Sequence, residues 1–192
     1  MEKIRIVFAM CGSFCTFKKT LYQMKILSDL GHQIIPVMSF NASSIDTRFG
    51  KAKDFEKEIE KICGQKIIKT IEDAEPIGPK NIADIVLVAP CTGNTLGKLC
   101  AAITDTPVTM AVKSQLRVHK PVLLALATND ALGASAQNLG KALNMKNVFF
   151  VPMIQDDLSK KPNSLVADFD LIPISLETAF QKKQIQPLFI QK

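Results

Sequence analysis

The chain has 192 residues, 47% of them apolar, which suits one domain with a full core and argues against a disordered chain. No apolar run approaches the roughly 18 residues a membrane span requires, and Met1-Glu2-Lys3-Ile4-Arg5 lacks the ordered regions of a signal peptide, so a cytoplasmic location is expected. The net charge of +6 comes from scattered lysines without an aromatic-rich basic stripe, a pattern of a solvated surface biased toward anionic ligands rather than a nucleic-acid face.

Residues 4–9 form a short, apolar, β-branched run and predict a buried strand. Cys11-Gly12-Ser13 breaks it. A helix is expected from Phe14 to Leu30, because Phe17, Leu21, Met24, Leu27 and Leu30 recur every three or four residues while Lys18, Lys19 and Lys25 stay wet. Gly31 is placed to end that helix in a left-handed turn. Gln33–Met38 predicts a second strand, parallel to the first through a βαβ connection. A polar loop covers 39–50, a charged amphipathic helix Ala52–Cys63, and a less regular stretch 66–83. Ile85–Ala89 is apolar without alternation, as expected of a central strand covered on both faces. Further helices are expected from about Thr95, over Pro107–Leu116, over Ala131–Met145 and over Leu176–Lys183. Further strands are expected at Pro121–Ala125, Val148–Val151 and Leu188–Ile190. The alternation predicts an α/β fold with a doubly wound, mainly parallel, Rossmann-like sheet over 1–192. Ligands then bind at the carboxyl ends of the strands, near a switch in strand order. The loops at 10–15, 39–49, 90–95 and 126–133 fall on that edge.

Each loop is polar. Gly12 and Ser13 offer backbone amides and a hydroxyl at a helix start, although Phe14 and Phe17 stand where a dinucleotide Gly-x-Gly-x-x-Gly would place later glycines. Ser39, Asn41, Ser43 and Ser44 suit either a turn or a ligand. Thr92-Gly93-Asn94-Thr95 gathers three hydrogen-bonding side chains around one glycine, able to surround a phosphate without a positive side chain or simply to cap a helix. Thr128-Asn129-Asp130 ends an apolar strand and can cap the next helix. Asp156 and Asp157 read as solvent-exposed or capping acids. His32 and His119 fall away from this edge, which leaves no base for a Ser-His-Asp or Cys-His hydrolase. There is no Walker motif. The five cysteines (Cys11, Cys15, Cys63, Cys91 and Cys100) form no zinc pattern, so free thiols and no metal are expected.

The strand–Gly12-Ser13–helix, the strand ending in Ser39, and Ala89-Pro90-x-Thr92-x-Asn94-Thr95-x-Gly97-Lys98-Leu99 resemble the flavin-containing cysteine decarboxylase superfamily over residues 4 to about 150. Further segments extend the likeness, now to the family of dipicolinate synthase B subunits of spore-forming bacteria. They are Asp46-Thr47-Arg48-Phe49-Gly50, Ala74 through Lys80, Thr128 through Gly133, Asn147 through Pro152 and Gln155 through Ser164. A family-specific C-terminal segment then covers about 152–192.

The resemblance implies an FMN site. Gly12, Ser13 and Phe14 would lie along the cofactor, Ser39 and Thr92–Thr95 would take its phosphate and ribityl chain, and Asn129 would sit by the ring. The resemblance further implies oxidation of a dihydrodipicolinate-type ring to pyridine-2,6-dicarboxylate in the mother cell during sporulation. It implies a homo-oligomer working with a partner, the dipicolinate synthase A subunit, which carries NADP or NAD. Arg48, Lys80 and Lys161, each in a polar loop of the family-like segments, are the expected partners of the substrate carboxylates. The chain departs from the decarboxylases in having no His near Pro76-Ile77-Gly78. It also has Leu126-Ala127-Thr128-Asn129 where they carry Pro-x-Met-Asn. A non-catalytic organiser of the A subunit and a stand-alone FMN-dependent decarboxylase are the two other readings.

Overall fold

The computed structural model describes residues 2–191. Seven strands form one sheet: β1 (Arg5–Met10), β2 (Gln33–Met38), β3 (Ile85–Cys91), β4 (Val122–Thr128), β5 (Val148–Phe150), β6 (Met153–Ile154) and β7 (Leu165–Ala167). The helices are α1 (Phe17–Asp29), α2 (Phe40–Ser44), α3 (Ala52–Cys63), α4 (Ile71–Ala74), α5 (Gly93–Cys100), α6 (Pro107–Arg117), α7 (Ala136–Leu143) and α8 (Ile172–Phe180). No helix among the described residues is long and apolar enough to cross a membrane.

The parallel part runs β2-β1-β3-β4-β5. From β1 the chain crosses to β2 on one side and later to β3 on the other. The strand order therefore reverses between β1 and β3, and a crevice opens beyond their carboxyl ends. Both sheet faces are covered. Ile6, Phe8, Met10, Leu87 and Leu123 pack against α1, α3 and α8. Val7, Ala9, Val86, Val88, Val122 and Leu124 pack against α4, α5, α6 and α7. Burying each such side chain contributes roughly 1.5–3 kcal/mol, which explains why these strands carry no polar alternation.

The outer edge of β4 is divided. Its first half pairs with β5 in parallel through Val122, Leu123 and Leu124. After Val151, whose amide donates to the Leu124 carbonyl (3.0 Å), the chain leaves β4. The gap is filled by β7, antiparallel to Ala127 and Thr128, and β6 pairs in turn with β7. The C-terminal third of the chain thereby reaches over the carboxyl end of β4.

Several elements differ from expectation. The 39–50 stretch contains α2, capped by Ser39, whose hydroxyl accepts from the Ala42 amide (3.3 Å). The helix after β1 begins with a 3-10 turn at Phe14–Thr16. β4 extends to Thr128, and α7 starts only at Ala136 because Asp130 holds 130–135 in turns, its carbonyl accepting from Gly133 and Ser135 amides. α8 begins at Ile172. Instead of a strand at 188–190 there is a single bridge, Met153 to Phe189. Gly31 has φ +87°, the left-handed turn its position predicts.

Candidate functional site

A cavity of about 660 Å³ lies at the carboxyl ends of β1, β3 and β4, within the size range of small-molecule and cofactor sites. The β1 loop contributes Gly12, Ser13, Cys15 and Thr16, and α1 contributes Lys19 and Tyr22. The β3 loop supplies Thr92, Gly93 and Asn94, and the end of β4 supplies Ala127, Thr128 and Asn129. The remaining wall is the C-terminal segment, with Ile154, Asp156, Lys161, Val166 and the Ala167–Asp170 stretch.

The β3 loop is built by capping. Thr92 is the N-cap of α5, and its hydroxyl accepts from the Thr95 amide (3.2 Å). That hydroxyl donates to Thr95 Oγ1 (3.1 Å), which donates to Cys11 Sγ (3.1 Å). Burial pushes the Cys11 thiol up to about 11 despite the Thr95 bond, so the wall behind the loop is neutral. Gly93 and Asn94 are the first two residues of α5, so their amides have no intrahelical acceptor. Together with the helix dipole they favour a negative group. The neighbouring β4 loop is tied by Asp130, which accepts from Thr128 Oγ1 (2.5 Å) and Ser135 Oγ (2.9 Å). The Thr128 bond, followed by the Ser135 bond, holds the Asp130 carboxyl below the usual carboxylate range against the effect of burial.

The structure brings together Gly12, Ser13, Thr92, Gly93, Asn94 and Asn129, all on the cavity wall. Phe14, Ser39 and Thr95 stand behind it. The Phe14 ring packs on Phe17 at 5.2 Å and borders Gly12. Ser39 is buried as the α2 cap, and Thr95 points to Cys11.

Of the expected carboxylate partners, Lys161 lines the cavity and Arg48 and Lys80 do not. Thr47 and Gly50 pair in a tight turn that sets the Arg48 guanidinium 4.9 Å from the centre of the Phe49 ring. Arg48 forms no ion pair with Asp54 or Glu58 among the described residues. Lys80 lies in the turn before β3, whose neighbour Asn81 accepts from Arg5 at the start of β1, so it sits at the amino end of the sheet. His32 is there too, with Nδ1 accepting from the Ile4 amide (3.3 Å).

Sequence reasoning missed Lys19 and Tyr22, because the wet face of α1 reads as ordinary surface, and it gave Cys15, in the 10–15 loop, no role beyond a free thiol. It also missed Asp168 and Asp170. The Asp168 carboxylate accepts from the Asp170 amide (3.3 Å), and the Asp170 carboxylate accepts from Gln23 Nε2 (3.0 Å). Asp157 is a capping acid, accepting from the Lys160 amide (2.9 Å), and Asp156 pairs with Lys161 (3.2 Å). The five cysteines are free thiols, with Cys15 exposed.

The donor set fits a phosphorylated flavin: free helix-start amides, an exposed amide side chain at Asn94 and at Asn129, and no dinucleotide glycine pattern.

The Flavoprotein family model matches residues 1–170. The chain is 44% identical over 187 residues to the dipicolinate synthase B subunit of Bacillus subtilis strain 168, across 97% of this chain and 94% of that one. The crystal structure of the dipicolinate synthase B subunit from Bacillus halodurans superposes with a TM-score of 0.90 at 38% identity, covering 98% of this chain and 97% of that one. The FMN binding protein AtHal3 shares the fold alone, with a TM-score of 0.68 at 18% identity over 95% of this chain and 99% of that one. On this likeness of sequence and architecture, the chain belongs to the Flavoprotein family.

Proposed function

We propose that this chain is the B subunit of a dipicolinate synthase and that it holds FMN in the cavity between β1, β3 and β4. The observation that carries the cofactor reading is the meeting of Gly12, Ser13, Gly93, Asn94 and Asn129 around one cavity at the strand-order switch. The relative at 44% identity supports the reaction. That reaction is oxidation of a dihydrodipicolinate-type ring to pyridine-2,6-dicarboxylate, with aromatisation as its driving force. A bound flavin supplies a hydride acceptor. The chain's part is to bind and orient. The amides of Gly93 and Asn94 would take the phosphate, Gly12 and Ser13 would border the cofactor, and Asn129 would stand by its ring. Ile154 and Val166 exclude water from the C-terminal side. The synthase's A subunit, carrying a nicotinamide cofactor, completes the enzyme in this reading, and the complex serves sporulation.

The test is to purify the chain and record its absorbance, then extract and chromatograph the chromophore. FMN in stoichiometric amount is expected, and turnover appears on adding the A subunit. FAD or a nicotinamide at that level overturns the cofactor assignment. A colourless chain that still activates the A subunit turns the reading into that of an organising subunit.

A further inference from the structure

The cavity's positive charge has a particular distribution. Among the described residues its only lining cations are Lys19 from α1 and Lys161 from the loop after β6. The β1, β3 and β4 loops contribute none. Both lysines are exposed. Lys19 enters no ion pair among the described residues. Lys161 is paired with Asp156 at 3.2 Å, and the two side chains are 46% and 29% exposed. An ion pair so open to water contributes little net stability, so one carboxylate can replace another at Lys161 at little cost.

The other acids of the cavity are already engaged by protein donors, Asp168 by the Asp170 amide and Asp170 by Gln23. They repel a second anion, which leaves the lysines as the place for one.

We propose that Lys19 and Lys161 bind the two carboxylates of a planar ring dicarboxylate, and that the ligand displaces Asp156 from Lys161. The proposal rests on the dipicolinate reading for the identity of the ligand. Two ammonium groups on separate elements select for two carboxylates, because a monocarboxylate satisfies only one of them. Lysine suits the exchange: its ammonium is a point charge on a flexible stem and accepts either partner without a fixed fork geometry. Asp156 keeps Lys161 from standing uncompensated when no ligand is present, and it competes with the ligand's carboxylate. The ring edge without carboxylates is the part that can face Asp168 and Asp170.

The experiment is a titration of the purified full chain with dipicolinate in metal-free buffer, by calorimetry. Lys19→Gln and Lys161→Gln are each expected to weaken binding about tenfold, or about 1.4 kcal/mol. Asp156→Asn is expected to tighten it severalfold, because the competitor is gone. Lys80→Gln, which removes a charge outside the cavity, leaves it unchanged. Picolinate, with one carboxylate, should bind more weakly to the wild type and lose affinity in at most one lysine variant. Dipicolinate affinity insensitive to both lysine substitutions overturns the proposal. So does Asp156→Asn weakening binding as much as Lys161→Gln, and so does Lys19→Gln loosening FMN while sparing riboflavin, which gives Lys19 to the phosphate. A chain that binds dipicolinate through both lysines yet holds no flavin keeps this proposal and loses the cofactor reading. A flavin-loaded chain indifferent to both substitutions does the reverse.

Discussion

Gly93 packs against Thr128 with no room for a side chain: a β-carbon at Gly93 would stand 2.6 Å from the Thr128 hydroxyl oxygen, 3.0 Å from Ser135 Oγ and 3.1 Å from Asp130 Oδ1. Asp130 ties the other two together, its carboxylate accepting from Thr128 Oγ1 and from Ser135 Oγ. The start of α5 and the loop after β4 are therefore seated on each other, and both line the cavity.

Gly93→Ala tests that seating. The methyl group must break the Thr128–Asp130–Ser135 set or push α5 outward, and overpacking of this kind costs about 1–3 kcal/mol. Urea unfolding should show a lower midpoint with an unchanged slope. Flavin retention should fall as well, because the Gly93 and Asn94 amides move with the loop. A variant with native stability and native flavin content would show that the two loops are independent.

Asp84 gives a pH-dependent contribution at the other end of the sheet. Its carboxylate accepts from Arg5 Nη2 (2.6 Å), Arg5 Nε (3.1 Å) and the Arg5 amide (2.9 Å), and Lys120 stands at 3.6 Å. The Arg5 side-chain bonds, above all, hold its pKa below the usual carboxylate range. Protons thus bind the unfolded chain more readily than the folded one at this site. The contribution is complete above the unfolded pKa of about 3.9 and is lost as pH falls through the lower folded value. Asp84→Asn should therefore destabilise the chain at neutral pH, and its deficit against wild type should shrink progressively below about pH 4. A deficit of constant size from pH 7 down to acid unfolding would mean that the carboxylate charge is not what matters.

The central fold is legible in the sequence because burial on both faces leaves a plain mark. Ile85–Ala89 and Ile6–Ala9 are unbroken apolar runs, and α1 shows a clear helical period. β6 and β7 are too short to carry a period, and they exist because the far end of β4 offers an unpaired edge that residues nearly forty positions downstream fill. α2 is a single turn of residues that also favour loops, and its formation depends on the Ser39 cap. The polar loop residues Gly12, Ser13, Thr92, Gly93, Asn94 and Asn129 were readable by their position at strand ends. Lys19 was not: a lysine on the wet face of a helix becomes a cavity residue only when a distant segment closes over it.

Arg48, like Lys80, is an expected site residue that lies outside the cavity. Its guanidinium lies over Phe49, in a turn closed by Thr47 and Gly50, and outside the cavity. An exposed cation–π contact contributes about 0.5–1 kcal/mol, and Lys keeps part of it. Arg48→Lys should therefore change the unfolding free energy by less than about 1 kcal/mol and leave the KM and kcat of the two-subunit complex near wild type. A KM for substrate raised tenfold with stability unchanged would return Arg48 to the site.

Thr92 separates a capping role from a direct one. Its oxygen accepts from the Thr95 amide and its proton goes to Thr95 Oγ1, which passes the chain of bonds to Cys11. The hydroxyl is thus committed to holding the first turn of α5, and it acts on a ligand by fixing where the Gly93 and Asn94 amides point. Thr92→Ala removes the cap, which costs about 0.5–2 kcal/mol of stability. Thr92→Ser keeps the oxygen and should stay close to wild type. If those amides take the phosphate, Thr92→Ala should weaken FMN about tenfold, a loss of about 1.4 kcal/mol, and riboflavin much less, because riboflavin has no phosphate to lose. Titrating both flavins into the flavin-free variant measures the two effects separately. Equal weakening of FMN and riboflavin would assign the β3 loop to the ribityl chain or ring and move the phosphate to another strand end.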